Sequence, residues 1–170
     1  MANKYLSWGT TAIQEVEASA TSAGAGDAGK VVALDAAGKI DETMMPTGVS
    51  AETQVAAASE ALLENDVVTF WDDTGTLKVR KANATDNTKP AHGYVKAAVE
   101  DAANATVYTD GFLPGTGLTK GSKYFLSAAI AGAVTTTAPS ATGNIAQAVG
   151  FAVSATAIKF EPVSDYIIRA

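Results

Sequence analysis

Apolar and polar residues alternate in short runs over the second half of the chain. Residues 67–71 are β-branched or aromatic, residues 72–75 are turn-forming, and residues 76–80 alternate polar with apolar side chains. Such alternation is typical of a half-buried strand. Comparable runs recur at 92–99, 105–109, 124–127, 133–137, 147–154 and 156–161. About eight short strands separated by turn residues predict a mainly β domain over residues 64–170, a small antiparallel β-barrel or sandwich.

A different pattern precedes this domain. Residues 50–63, with the sequence SAETQVAAASEALL, are rich in alanine, which favours helix. Ser50 with Thr53 or Gln54 resembles an N-cap region. We therefore expect a short helix here, ended by the polar residues 64–66.

Residues 30–46, KVVALDAAGKIDETMMP, predict a short β-hairpin. A β-prone apolar run precedes a turn at 35–38 that ends in glycine, and apolar character resumes at Ile40. A two-stranded hairpin is marginally stable alone in water. Its apolar residues therefore need a partner, which favours self-association of the segment 30–63.

Residues 1–29 predict an extended N-terminal arm. Alanine, serine, threonine and glycine dominate, and residues 19–29 form a flexible connector of low complexity. Tyr5, Leu6 and Trp8 are large apolar residues in this otherwise polar segment. Because termini are ordered only when tied down, these residues either fold back onto their own domain or anchor in a neighbouring subunit.

Charge is unevenly distributed over the 170 residues, whose formal net charge is −6. Residues 1–66 hold ten acids and three bases, a net of −7, whereas residues 67–170 have a net of +1. No basic patch that could neutralise phosphates is visible, so we expect no nucleic-acid partner. The acidic part either serves solubility or docks on a basic partner surface.

The remaining composition narrows the class of protein further. The absence of cysteine rules out disulfides and thiolate metal sites. The first ten residues lack the apolar core of a signal peptide, and no apolar run reaches 18 residues. We therefore expect neither a secretion signal nor a membrane partner.

Candidate catalytic residues are few. His92 is the only histidine, so neither a catalytic triad built on several partners nor a histidine-rich metal site is favoured. Asp72 and Asp73 are adjacent, and neighbouring residues point in different directions, so a hairpin turn is the better interpretation. We expect no enzymatic activity, no metal and no cofactor.

Two further motifs have structural interpretations. The segment 115–122, GTGLTKGS, superficially resembles a phosphate-binding loop, but Lys120 is followed by glycine and no amphipathic helix follows. Lys78, Arg80 and Lys81 form a small basic stripe beside Trp71. Single-stranded nucleic acids need more interleaved aromatic residues, so a solvated strand face is favoured.

Two parts of the chain resemble proteins of tailed bacteriophages. Residues 28–41, AGKVVALDAAGKID, with the closing Met44–Met45–Pro46, resemble a motif of phage fibre and head-decoration proteins. The second part looks like the small β-barrel domain of phage capsid decoration (cement) and head-fibre proteins. Its matching segments are 61–62, 66–68, 91–95, 117–127 and 147–156.

The resemblance implies a virion structural protein, a homotrimer on the outer capsid surface that stabilises or decorates the head. Its partners would be the major capsid protein and copies of itself, held in closed threefold symmetry. Three linked arms would gain avidity on the capsid. The implied capsid contacts of the arm are Tyr5, Leu6 and Trp8. The implied trimerisation residues are Val31, Val32, Leu34, Ile40, Met44 and Met45.

An alternative function stays open at this point. A receptor- or glycan-binding module of a tail fibre would present exposed aromatic residues around a groove. Trp71, Tyr94, Tyr108 and Phe112 are the candidates for such a groove. A small glycan depolymerase is a third hypothesis, which would need carboxylates with shifted pKa values clustered in a cleft.

Overall fold

The computed structural model describes residues 4–9, 11–45 and 52–170. The chain divides into two compact units, Met1–Ser50 and Ala51–Ala170. Strands dominate the secondary structure of the described residues, which confirms the predicted mainly β class. The predicted N-cap at Ser50 and the closing Pro46 lie outside the described residues.

A regular β-hairpin opens the first unit. Strand β1 (Lys4–Trp8) pairs antiparallel with β2 (Ile13–Glu17), so that Lys4 lies opposite Glu17 and Trp8 opposite Ile13. The strands contain the aromatic residues Tyr5 and Trp8 and the β-branched residues Ile13 and Val16, which are enriched in strands. The predicted arm therefore contains an ordered element that was not expected from its low-complexity composition.

Local turns, rather than strands, organise residues 18–45. Val32 makes a single parallel bridge to Ser19, and two short 3-10 helices span Ala25–Asp27 and Glu42–Met44. The turn at 35–38 is confirmed, because the Asp35 carboxylate accepts the backbone N–H groups of Ala37 and Lys39 at 2.8 Å each.

The predicted hairpin strands are wrong over residues 30–45, the part of this segment that the structure describes. Beyond the turn, the Asp41 carboxylate accepts both the backbone N–H and the hydroxyl of Thr43, at 3.0 and 2.6 Å. Short polar side chains that bond to the nearby backbone compete with strand pairing. The chain therefore coils at Glu42–Met44 where a second hairpin strand was expected.

Twelve strands lie in residues 52–170, the described part of the second unit. They are β3 (Thr53–Ala58), β4 (Val67–Asp73), β5 (Thr76–Lys81), β6 (Gly93–Val95), β7 (Asn104–Tyr108), β8 (Gly111–Pro114), β9 (Lys123–Leu126), β10 (Val134–Thr135), β11 (Ile145–Ala146), β12 (Ala148–Ala152), β13 (Ala157–Phe160) and β14 (Ile167–Ile168).

Five of these strands close a barrel in the order β3-β5-β4-β6-β7. All neighbouring pairs are antiparallel except β3 with β5, which run parallel at Ala57 and Ala58. The predicted small antiparallel barrel is therefore confirmed, with one parallel pair at its closure.

The predicted helix over 50–63 is wrong, because residues 53–58 form β3 and pair with β7 along five positions. Helix propensity is a weak preference that tertiary context overrides. Strand β3 buries Ala56 and Ala58 inside the barrel, where small side chains fit. The barrel therefore begins before residue 64, the predicted boundary.

A second sheet has the strand order β10-β9-β12-β13-β8, and β11 pairs separately with β14. The buried apolar residues form two core clusters. Neighbouring residues of one barrel strand belong to different clusters. Val67 belongs to one cluster and Val68 to the other, and Tyr94 and Val95 divide in the same way. Successive strand residues point to opposite faces, so one cluster fills the barrel and the other joins its outer wall to the second sheet.

Candidate interaction surface

One face of the β1–β2 hairpin exposes large apolar side chains. Residues directly opposite in an antiparallel pair lie on the same face, as do alternate residues of one strand. Leu6, Trp8 and Ile13 therefore share a face, and they are 75%, 79% and 59% exposed. Lys4 and Glu15 lie on the same face and form an ion pair at 3.3 Å. Glu17, opposite Lys4, lies on this face too. We call these six residues the hairpin face.

The structure separates the three predicted arm residues. Leu6 and Trp8 lie on the hairpin face, whereas Tyr5 pairs with Val16 on the opposite face and is half-buried there. Ile13 was not expected from the sequence to take part. The turn-forming Gly9 between two β-prone segments was the signal that could have placed it beside Trp8.

A second set of exposed apolar residues follows in the same unit. Val31, Val32, Leu34, Ile40 and Met45, five of the six predicted trimerisation residues, are each at least 41% exposed. The sixth, Met44, is half-buried. Their exposure leaves them free to make contacts outside the unit.

The first unit has almost no apolar core. Among its described residues, Ala33 is the buried apolar residue, and alanine buries little area. Polar interactions hold the loops instead. Asp27 accepts the backbone N–H of Ala23 at 2.6 Å and binds Lys30 at 2.7 Å. The hydrogen bond from Lys30 lowers the pKa of Asp27, and the same contact raises the pKa of Lys30.

His92 has a structural environment. Its Nδ1 accepts the backbone N–H of Phe70 at 3.1 Å and lies 3.2 Å from the Thr69 hydroxyl. The imidazole stacks on the Phe70 ring with centroids 6.2 Å apart. Partial burial of the ring lowers the pKa of His92. These contacts fix the ring to the strand, as expected for a packing role.

The two adjacent aspartates form the predicted hairpin turn. Asp72 accepts the backbone N–H of Gly75 at 2.8 Å, and Asp73 binds Lys78 at 2.6 Å. Thr74 and Gly75 both have positive φ values, 53° and 89°, as a tight two-residue hairpin turn requires. Neither carboxylate faces the other as an acid/base pair would.

The three cations of the basic stripe, Lys78, Arg80 and Lys81, all contact other residues of the second unit. Lys78 binds Asp73, and Lys81 lies 3.3 Å from the carboxylate of Asp66. Arg80 donates to the Thr88 carbonyl at 3.2 Å and lies 4.7 Å from the centre of the Trp71 ring. The three cations therefore stabilise the fold locally and are not presented together to a phosphate backbone.

The glycine-rich loop is a structural turn. The backbone N–H groups of Gly115 and Leu118 donate to the carbonyls of Thr156 and Ala155, each at 3.0 Å. The N–H of Thr119 donates to the hydroxyl of Tyr124 at 3.1 Å. N–H groups already engaged in this way do not form a phosphate cradle.

Three of the four aromatic residues expected around a groove lie close together, since Tyr94 stacks on Tyr108 and its hydroxyl donates to the carbonyl of Phe112. Tyr94 is completely buried in the core, and that burial raises its pKa to about 12. Trp71 donates its indole N–H to the hydroxyl of Ser59. The ammonium of Lys96 lies 3.9 Å from the centre of the Tyr108 ring, and Phe112 is exposed. A ligand groove that includes Tyr94 is therefore wrong.

Comparison with known proteins finds no similar sequence or structure. No family model, no curated protein and no solved structure matches the chain. Within the described part of the chain, no three histidine, aspartate or glutamate side chains cluster as a metal site would. Over the same residues, no helix has the length and apolar character needed to cross a bilayer.

Proposed function

We propose that the protein is a structural component of a tailed-bacteriophage particle. It binds the outer surface of the capsid as a homotrimer, stabilises or decorates the head, and performs no catalysis. The observation that carries this proposal is the exposed apolar surface of residues 4–9 and 11–45, which belong to a unit separate from the β unit. The resemblance of residues 28–46 and of the barrel segments to decoration and head-fibre proteins supplies the identity of the partner.

The physical argument starts from the missing core. A hairpin of two strands is marginally stable alone, and buried apolar area is the main favourable term in both folding and association. The first unit exposes its large apolar residues instead of burying them. Contacts with another protein would bury these residues, which is what a docking segment requires.

The two exposed sets suit two separate contacts. The hairpin face has tryptophan, a residue enriched at energetically dominant interface positions, and we assign it to the major capsid protein. The aliphatic residues of 31–45 are assigned to contact between copies of the chain. Three hairpins on one trimer then bind one capsid lattice together, and the linkage raises their effective concentration.

The test uses two variants that separate these contacts. In the first, Leu6, Trp8 and Ile13 are replaced by serine, and we expect the loss of co-sedimentation with purified capsids while the trimeric mass is kept. In the second, Val32, Leu34 and Ile40 are replaced by serine, and we expect a monomeric mass with weakened capsid binding. Capsid binding is measured by co-sedimentation and mass by light scattering.

A matched control replaces three exposed apolar residues of the β unit, Leu63, Leu77 and Ile130, by serine. Neither mass nor capsid binding should change in this variant. If the hairpin variant binds capsids as well as the unaltered chain does, the assignment of the hairpin face to the capsid is wrong.

A further inference from the structure

A groove in the second unit is bordered by β4, by residues 90–92 and by the C-terminal residues 162–166. Its volume of about 520 Å³ is typical of ligand sites. The walls are mainly apolar and include Phe70, Val163 and Tyr166. Val163 is exposed, and Phe70 and Tyr166 are half-buried. A ligand can therefore reach these walls from the solvent.

Two polar side chains of the groove are engaged within the fold. Gln147 is buried, and its Oε1 accepts the backbone N–H of Ala91 at 2.6 Å. Its Nε2 donates to the carbonyls of Ala91 and Val163 at 3.0 and 2.9 Å. The hydroxyl of Tyr166 donates to the carbonyl of Asn87 at 3.3 Å. Gln147 and Tyr166 therefore shape the groove but have no free proton for a ligand.

His92 supplies the groove with a hydrogen-bond donor. Its Nδ1 accepts the backbone N–H of Phe70, so the proton of the neutral ring lies on Nε2. No hydrogen bond among the described residues engages Nε2, and the residue is exposed. Stacking on Phe70 fixes the orientation of the ring. The exposed hydroxyl of Ser164 adds a second donor.

The charges and hydrogen-bonding groups of the groove narrow the class of ligand. Among the described residues, no charged side chain borders it, so a phosphate would find no cation and a metal ion no carboxylate. A saccharide would bring several O–H donors, whereas the Gln147 oxygen already accepts a hydrogen bond. The groove therefore favours an uncharged, apolar ligand that accepts hydrogen bonds.

We propose that this groove binds a proline-rich segment of another protein in the extended polyproline II conformation. A prolyl ring is apolar, and its nitrogen has no N–H that would need a partner. A carbonyl of the segment accepts the Nε2–H of His92, and a prolyl ring packs on Val163 and Tyr166. Aromatic-lined grooves suit such segments, because this conformation is formed before binding. The groove residues differ from those assigned to capsid binding, so the proposal does not depend on that function.

The experiment is a titration of ¹⁵N-labelled full-length protein with an acetylated hexaproline peptide. A peptide of the same length with alternating alanine and glycine is the reference ligand. We expect hexaproline to shift the imidazole nitrogens of His92 and the backbone amides of Val163 and Tyr166 in a saturable way. The reference peptide should give no saturable shift. His92 is the only histidine, so its ring signals are unambiguous.

Two variants test the individual contacts. Val163→Asp places a charge on the apolar wall and should weaken hexaproline binding about tenfold, because the carboxylate loses water in the complex. His92→Phe keeps a stacked ring without the donor and should weaken binding about fivefold. The control is Val153→Asp, since Val153 is 45% exposed outside the groove and Val163 is 44% exposed. This control should bind like the unaltered protein.

The proposal is overturned if hexaproline gives no saturable shift. It is equally overturned if the reference peptide binds as tightly, because the groove would then accept any extended chain. Unchanged affinity in Val163→Asp would also contradict it. A loss of affinity that Val153→Asp shares would trace the effect to net charge and would count against the groove.

Discussion

At the scale of single residues, His92 shows how one hydrogen bond sets a pH dependence. Its Nδ1 accepts the Phe70 N–H, a bond that only the neutral form can accept, and partial burial also disfavours the charged ring. The pKa of His92 is therefore lower in the folded chain than in the unfolded chain. The unfolded state takes up a proton first as the pH falls, so acid favours unfolding.

We expect the stability contributed by His92 to be complete above the unfolded pKa of about 6.5 and to be lost as the pH falls through the lower folded value. His92→Asn, whose side-chain oxygen can accept the same N–H, should lose less stability on acidification. Urea unfolding of both proteins at about pH 7.5 and about pH 5 measures this difference.

Three hydrogen-bonded carboxylates lose any stability that they contribute in a more acidic range than His92 does. Hydrogen bonds from Thr43, Thr88 and Lys159 lower the pKa values of Asp41, Asp86 and Asp110, so any contribution that they make is lost only in stronger acid. An equal loss of stability in His92→Asn and the unaltered chain would show that His92 does not carry the pH dependence.

At the scale of elements, β12 depends on one glycine. The register of β12 with β9 shifts between Ala148 and Gly150, and Gly150 has φ 143°. A Cβ at this position would collide with the backbone carbonyl of Lys159 on β13. Only glycine lets the two strands approach here while the bulge redirects β12.

Gly150→Ala should therefore lower the free energy of unfolding by about 3 kcal/mol, since it combines backbone strain with overpacking. Gly143→Ala is the matched control, because its φ is also positive, at 83°, but nothing lies within 4 Å of the added Cβ. The control should lose about 1 kcal/mol. Equal losses in urea unfolding would mean that the contact with Lys159 does not matter.

At the scale of the whole molecule, the stabilising core is confined to one unit. Both buried clusters consist of residues between 56 and 160, and the first unit adds only Ala33 among its described residues. Folding free energy therefore resides in residues 51–170. The proposed association resides in the exposed residues of the first unit.

Removal of residues 1–50 tests this division. We expect the remaining chain to unfold in urea with a free energy within about 1 kcal/mol of the full chain, because no large apolar core is lost. Its mass should fall to that of a monomer, whereas the full chain of 17.2 kDa should give about 52 kDa as a trimer. An unfolded fragment, or one that is still trimeric, would contradict the division.

The local sequence pattern determined many of the strands and turns of the second unit. The alternation at 76–80, the Asp72–Gly75 turn and the strand at 157–160 follow from side-chain period and turn chemistry, and they form in the structure. These features depend on residues close in sequence, so they could be predicted from the chain alone.

Long-range contacts decided the rest. Alanine-rich residues 53–58 became a strand because β7 supplies hydrogen bonds from a segment about 50 residues away, which outweighs helix propensity. Tyr94 is buried and Ile13 is exposed. In each case the residues that cover the side chain, or leave it uncovered, belong to other strands.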